Sequence, residues 1–344
     1  MTASAVQGAI RALALGGSLD ATQAAAAFDG IMAGEATPAQ VAALLMGLRV
    51  KGETPDEVAG AARALRAAMV VLEADDPASL VDTCGTGGGT IGTFNISTAA
   101  GLLAAGLGVR VAKHGNRSFT SQCGSADVLE RLGVPLDVPP ARMARVLREA
   151  GIVFMFAPTM HPAMRHVGPV RRELAIPTVM NIVGPLANPA RAGRQVLGVA
   201  DAGRVPLLAG ALAALDTVHA MVVHGEAGLD EISPVGITRV HEIRDGAVHT
   251  WDIVPSDHGV RHPHVEDLAG GPPDRNAALI QEILGGKGNA TATDAVALNA
   301  AAALYVAGSV PTYGDGVALA REAISRGAGL EALDRMRTAY TAGD

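Results

Sequence analysis

Leu80-Val-Asp-Thr-Cys-Gly85-Thr-Gly-Gly-Gly-Thr90-Ile-Gly-Thr-Phe-Asn95-Ile-Ser-Thr98 is the stretch from which the fold is read. Its apolar start predicts a strand over Leu80 to Thr83, the glycines a tight turn, and the Ala-rich continuation a helix beginning near Asn95. Glycines directly after a strand leave backbone N–H groups free and let an anion approach the main chain. The helix that follows offers its dipole and unpaired amides to the same negative charge, and Ser97 and Thr98 add hydroxyls. Phosphate or pyrophosphate binding is the chemistry expected. The turn has no lysine, so it is not a P-loop ending in Gly-Lys-Ser/Thr. Nor is it a dinucleotide fingerprint, because Arg110-Val-Ala-Lys113 has the wrong charge for the acidic ribose ligand. A glycine turn without a ligand is the alternative at this point.

Outward from this stretch, further short β-branched runs alternate with helical segments: Val109 to Ala112, Ile152 to Phe156, Val196 to Val199 and Ala220 to Val223. Such alternation predicts βαβ units, a mostly parallel sheet and helices on both faces. Asp245-Gly246 between two period-two runs, 240–243 and 248–251, predicts an antiparallel hairpin. Residues 1 to about 74 read as purely helical. Thr37-Pro38 and Thr54-Pro55 each place an N-cap hydroxyl before a proline, and Glu57 completes a capping box. Val41, Leu44, Leu45 and Leu48 keep helical spacing. The region reads as a small bundle, with a paired-helix dimer surface as its functional alternative. From Asn276 onward the chain reads as helices separated by Gly-rich turns. The fold class is therefore α/β, with a small all-helical N-terminal part before a larger α/β part.

A second loop, Lys113-His-Gly-Asn-Arg117-Ser-Phe-Thr-Ser121-Gln-Cys-Gly-Ser125, leaves the carboxyl end of the next predicted strand, the edge where open parallel sheets bind ligands. Arg117 suits paired phosphate oxygens and Lys113 a point contact, and the next helix is expected to be capped near Ser125. Two such loops on neighbouring strands imply a substrate with two separated phosphate groups. Asp230-Glu231, just after the strand ending at Val223, are the carboxylates available for Mg²⁺, which typically binds one or two carboxylates plus phosphate oxygens. A helical face carrying Arg171, in His161-Pro-Ala-Met-Arg-His-Val-Gly-Pro-Val-Arg-Arg172, offers a cation for an organic carboxylate, and taken alone the segment reads as structural.

The 344 residues carry 27 Lys+Arg against 34 Asp+Glu, a net charge of −7 that argues against duplex nucleic acid as a partner. Aromatics at 3% also leave few rings for stacking single-stranded bases. Two cysteines, Cys84 and Cys123, are too few for a disulfide framework or a structural zinc site. The apolar stretches 205–223 and 296–310 are broken by Asp216 and Asn299 and read as buried helices, not membrane spans. With no signal peptide evident at the start, a cytoplasmic protein is expected.

Taken together, Gly85-Thr-Gly-Gly88, Thr93-Phe-Asn-Ile-Ser-Thr98, Lys113-His-Gly-Asn-Arg117, Gly124-Ser-Ala-Asp127, Asn181 to Pro189 and Leu229-Asp-Glu-Ile-Ser-Pro234 resemble the anthranilate phosphoribosyltransferases, in the family's order and over most of the chain. The resemblance implies the nucleoside phosphorylase/phosphoribosyltransferase fold type: a helical domain over 1–74, joined by helices within 160–190, and an α/β domain over 75–344. It implies a homodimer through the helical domain, Mg²⁺ as cofactor, and phosphoribosyl pyrophosphate and anthranilate as substrates. Phosphoribosyl pyrophosphate is expected on Gly85, Gly87, Gly88, Thr93, Asn95, Ile96, Ser97, Thr98, Lys113, His114, Gly115, Asn116, Arg117, Ser121 and Ser125. Anthranilate is expected on Asn116 and Arg171, with Gly85, His161, Gly184 and Pro185 as walls. Ser97, Asp230 and Glu231 are the expected metal residues. No general base is expected, since the amine's lone pair is already available.

The chain departs from the family in two places. Gly89-Thr90 replace the usual Asp-Gly, which predicts a changed Mg²⁺ dependence with Asp230 and Glu231 carrying more of it. Gln122-Cys123 stand where Lys-Ser is common, a loss of one cation that leaves Lys113 and Arg117. Cys84 and Cys123 border the two anion loops, where a thiolate is favoured, and a redox role is the minor reading. A pyrimidine nucleoside phosphorylase and a non-enzymatic nucleic-acid-binding paralogue are the rival functions. The first is distinguished by phosphorolysis of thymidine or uridine, the second by a salt-sensitive shift of single-stranded DNA.

Overall fold

Capping decides where the first helices start. The computed structural model describes residues 2–118, 122–226 and 228–342, and opens with α1 (Thr2–Ala14), α2 (Ala21–Met32), α3 (Pro38–Lys51) and α4 (Pro55–Ala67). The Thr54 hydroxyl accepts the Glu57 N–H at 3.3 Å, and the Glu57 carboxylate accepts the Thr54 N–H at 2.8 Å, completing the expected box. Asp20 with Gln23 and Thr37 with Gln40 form two more boxes that the sequence reading did not name. Fully buried Glu57 also accepts the Leu19 N–H and pairs with Lys51 at 2.9 Å, so one cap residue ties three elements together. Small residues let α2 and α4 touch: a Cβ on Gly60 would lie 2.5 Å from the Ala21 carbonyl oxygen.

Next come β1 (Val81–Gly85), α5 (Ile96–Gly106), β2 (Val111–Gly115), α6 (Ser125–Arg131), α7 (Pro140–Ala150) and β3 (Ile152–Phe156). Three short helices, α8 (Ala157–Met160), α9 (Gly168–Leu174) and α10 (Met180–Val183), lead to β4 (Arg194–Gly198), α11 (Val205–Ala213) and β5 (His219–Gly225). The hairpin β6 (Thr238–Arg244) and β7 (Ala247–Ile253) precedes α12 (Pro273–Leu284), α13 (Ala290–Ala307), α14 (Tyr313–Ser325) and α15 (Ala328–Thr341). One seven-stranded sheet results, in the order β3-β2-β1-β4-β5-β6-β7. Its first five strands are parallel and the hairpin is antiparallel, as expected. Asp245 and Gly246 both take positive φ, 52° and 75°, the requirement of a type I′ turn.

Most strands run further than the sequence suggested, and in β1 and β2 this changes the site. Lys113, His114 and Gly115 belong to β2, not to the loop, because they pair with Phe154, Met155 and Phe156. Cys84 and Gly85 likewise extend β1 by pairing with Leu197 and Gly198. Ladder partners override the weak strand preference of Lys, His and Gly.

Both faces of the sheet are covered. Val81, Val196, Met221 and Val223 join an apolar cluster with α5, α13 and α15. On the opposite face Leu197, Val199, Ala220 and Val222 join one built from α11, α2 to α4, and Val167, Val170, Val179 and Ile182. Helix α13 is long and apolar enough to cross a membrane by length and composition, but most of it is buried and it packs on α5 and α14 as a core helix.

Candidate functional site

β1 is the centre of the site because the chain turns away from it in both directions, to β2 on one side and to β4 on the other. Such a switch point opens a crevice at the carboxyl ends of the strands. Pairing of β1 with β4 continues to Gly85↔Gly198, whereas β1 and β2 register only at Val81↔Val111. Side chains fill that split. Asp82, fully buried, accepts the His114 N–H at 3.2 Å, and Lys113 donates from Nζ to the Thr83 carbonyl and to the Ser97 hydroxyl. Burial pushes the Asp82 carboxyl up and the Lys113 ammonium down, and their mutual attraction opposes both shifts.

The glycine loop is held from two sides. Thr86 N–H donates to Gly198 C=O, and Gly87 N–H donates to Asp230 Oδ2 at 2.8 Å. Farther along, Thr93 bridges Ala269 and Phe94 N–H donates to Leu268 C=O. Gly87 and Gly88 take φ of 69° and 80°, a conformation that costs glycine little. Helix α5 then starts at Ile96 with Asn95 as its cap residue, but the Asn95 side chain does not cap. It accepts from Asn276 and donates to the Cys123 carbonyl, which ties the first loop to the second. Ser97 N–H donates instead to Glu231 Oε1 at 3.2 Å. The Thr98 hydroxyl is buried in the same turn.

Asp230 and Glu231 are thus brought to the glycine loop and to the N-terminus of α5. Burial and the neighbouring Asp230 push the Glu231 carboxyl up to about 8, and burial raises Asp230, against the pull of the Gly87 amide. Two adjacent carboxylates this costly to ionise need a counter-cation. Among the described residues no group of three or more His, Cys, Asp or Glu side chains forms a metal cage. Two carboxylates with the Ser97 hydroxyl nearby are nonetheless the hard oxygen donors that suit Mg²⁺ sharing its shell with phosphate and water.

The second loop differs from expectation in detail. Arg117 does not stand open for phosphate: its guanidinium binds Asp127 at 2.8 Å and Glu130 at 2.9 Å on α6. Helix α6 begins at Ser125, as expected, with Gly124 as its cap residue, and Asp127 closes the turn by accepting the N–H groups of Gly124 and Ser118. Ser125 lies 3.4 Å from the Asn116 carbonyl, and the Asn116 side chain accepts the Arg117 N–H. Ser121 lies outside the described residues.

The segment from His161 to Asn188 reaches the same rim. The His161 and His114 rings lie 4.9 Å apart, and burial holds both neutral, lowering His161 to about 4 and His114 well below the usual range. The Pro185 carbonyl accepts Gln195 Nε2 at 2.7 Å, and the same amide lies 3.3 Å from Cys84 Sγ, which sets Gly184 and Pro185 against the end of β1. Arg171, in the last turn of α9, is half-buried, and burial alone lowers its pKa. Neither cysteine is a thiolate: burial pushes Cys123 up to about 11 and Cys84 well above the usual thiol range. Sequence reasoning missed Asp82, Asn188, Gln195 and Asn299. Only Asn299 left a signal, as the polar break in an apolar run.

A parallel sheet with anion loops at its switch point, covered by a helical bundle, defines a glycosyl transferase of two-part build. Residues 77–330 match the glycosyl transferase family a/b domain and residues 7–69 its helical bundle domain. An anthranilate phosphoribosyltransferase from Chloroflexus aggregans is 50% identical over 332 residues, 96% of this chain and 97% of that protein. The crystal structure of the enzyme of that name from Thermus thermophilus superposes with a TM-score of 0.91 at 43% identity, covering 97% of this chain and 99% of that one. The Saccharomyces cerevisiae enzyme in complex with PRPP and Mg gives 0.88 at 27% identity, with 98% of each chain covered. This chain belongs to the anthranilate phosphoribosyltransferase family.

Proposed function

We propose that this chain transfers the phosphoribosyl group of phosphoribosyl pyrophosphate to the amine of anthranilate, giving N-(5-phosphoribosyl)anthranilate and pyrophosphate for tryptophan biosynthesis. One observation carries this reading: the amides of Gly87 and Ser97 converge on the adjacent carboxylates Asp230 and Glu231 at the switch point. In this reading the loop from Gly85 to Thr98 receives pyrophosphate. His114, Gly115, Asn116 and Ser125 border the phosphoribosyl group, with Lys113 supplying positive charge from beneath. Asp230, Glu231 and Ser97 hold Mg²⁺, which when bound neutralises charge on the departing pyrophosphate.

The C1–O bond to pyrophosphate breaks, the C1–N bond forms, and the amine proton leaves to solvent. Backbone amides and Lys113 stabilise developing charge, and the remaining task is to position two reactants. The neutral pair His114 and His161 offers the aromatic acid an uncharged wall. Arg171 is left as the cation for its carboxylate.

The helices within 160–190 share an apolar cluster with α2 to α4, which supports treating them with residues 1–74 as one domain. A homodimer through the helical domain, which carries the exposed Leu15 and Val50, is part of the same reading. Free thiols at Cys84 and Cys123 accord with a cytoplasmic location.

The test is anthranilate fluorescence followed during turnover with phosphoribosyl pyrophosphate and Mg²⁺. Arg171→Ala is expected to raise KM for anthranilate while leaving that for the sugar donor nearly unchanged. Equal loss for both substrates removes Arg171 from the aromatic subsite, and no turnover by the unmodified chain removes the reading.

A further inference from the structure

Asn299 is the polar break in the apolar 295–304 stretch of the core helix α13, and only 3% of its surface is exposed. Its side-chain amide makes hydrogen bonds to main chain alone. Oδ1 accepts the Ile232 N–H at 3.0 Å, Nδ2 donates to the Ile232 carbonyl at 2.8 Å, and Nδ2 also donates to the Ala295 carbonyl of its own helix. Both backbone groups of one residue are therefore held by one side chain, as a neighbouring strand would hold them. That residue directly follows Glu231.

Among the described residues the segment after β5 has no ladder partner at Ile232; the Gly225–Leu229 bridge and the Ser233 N–H bond to the Thr238 hydroxyl hold it on either side, and the Asn299 clamp fixes the Ile232 peptide between them. From there Glu231 reaches the Ser97 amide and Asp230 the Gly87 amide. Asn299 also lines, with Glu231, Ser97 and Thr83, a cavity of about 10 Å³ beside the Glu231 side chain. A buried amide fully used on backbone rotates little, and whatever it holds is held in one orientation.

We propose that Asn299 is a positioning residue for the metal carboxylates, acting through the Ile232 peptide to aim Asp230 and Glu231. The proposal rests on the reading of those carboxylates as the Mg²⁺ site. Residues behind metal ligands typically cost about 10-fold in metal affinity when removed. Asn299→Ala is expected to raise the half-saturating Mg²⁺ concentration about 10-fold, with kcat largely restored at high Mg²⁺. The same shift is expected in Mn²⁺ bound in the presence of phosphoribosyl pyrophosphate, read by electron paramagnetic resonance without anthranilate. Asn299→Asp, which keeps the acceptor for the Ile232 N–H, is the second variant if the alanine protein does not fold. Glu231→Gln is the control. A lower Tm with unchanged metal dependence reduces Asn299 to packing and overturns the proposal, provided Glu231→Gln does shift it. No shift in Glu231→Gln overturns the metal-site reading beneath it.

Discussion

Gly198, the last residue of β4, and Asp230 meet so closely that a Cβ at position 198 would overlap the Asp230 carbonyl oxygen. A Cβ on Gly85, the ladder partner of Gly198, would lie 2.5 Å from the Asp230 carboxylate. The end of the β1–β4 ladder is thus the floor on which the acidic turn rests. Gly198→Ala is expected to destabilise the fold by about 3 kcal/mol, as overpacked backbone contacts do. It is also expected to raise the Mg²⁺ requirement, because the turn must lift. Thermal melts and a Mg²⁺ titration measure both, and a variant with unaltered Tm means that the turn is not seated there.

Gly89 occupies the place where the family usually has aspartate. A Cβ there would lie 3.0 Å from the Gly228 carbonyl and 3.5 Å from Asp230 Oδ1. Gly89→Asp therefore brings a third carboxylate beside the first two with a small adjustment. The rate is expected to half-saturate at lower Mg²⁺ in this variant. An identical rate profile refutes the idea that the missing loop carboxylate changes the Mg²⁺ dependence.

Glu242 on β6 accepts from His219 at 2.8 Å, Trp251 at 2.8 Å and Tyr305 at 3.0 Å. These bonds, the one from His219 foremost, hold its carboxyl below the usual range despite burial. A depressed carboxyl contributes stability that is present above the unfolded value near 4.5 and lost as pH falls through the folded one. Glu242→Gln is expected to lose about 2 kcal/mol at pH 7, and the gap from the parent is expected to close as pH falls from the unfolded value near 4.5 through the lower folded one. Urea melts across pH check this. A gap independent of pH assigns the loss to shape.

Cys84 and Cys123 remain thiols at neutral pH because burial disfavours their charged forms. Turnover is expected to persist after brief exposure to peroxide or iodoacetamide at pH 7, with no label found by mass spectrometry on the native protein. Rapid labelling of either residue contradicts this assignment.

The strand–glycine–helix order was legible because it is local: β-branched runs, glycine turns and hydroxyl-proline caps act within a few residues. The loop boundaries were less so. Lys113 to Gly115 look like loop residues by propensity, yet they complete β2 because β3, a strand two helices further along the chain, lies beside them. Nothing in the sequence around Arg117 reveals that its guanidinium pairs with Asp127 and Glu130 on α6.

By itself, then, the order of residues determined the elements, the parallel sheet, the hairpin and the glycine turn after β1, since each depends on backbone preferences and short-range periodicity. Only the tertiary structure decided that Asp230 and Glu231 meet the amides of Gly87 and Ser97, that Asp82 and Lys113 fill the split between β1 and β2, and that Asn299 grips Ile232. The physical reason is common to all three. Each pairing joins residues at least 30 positions apart, and such contacts exist only once the sheet order has placed their strands and helices side by side.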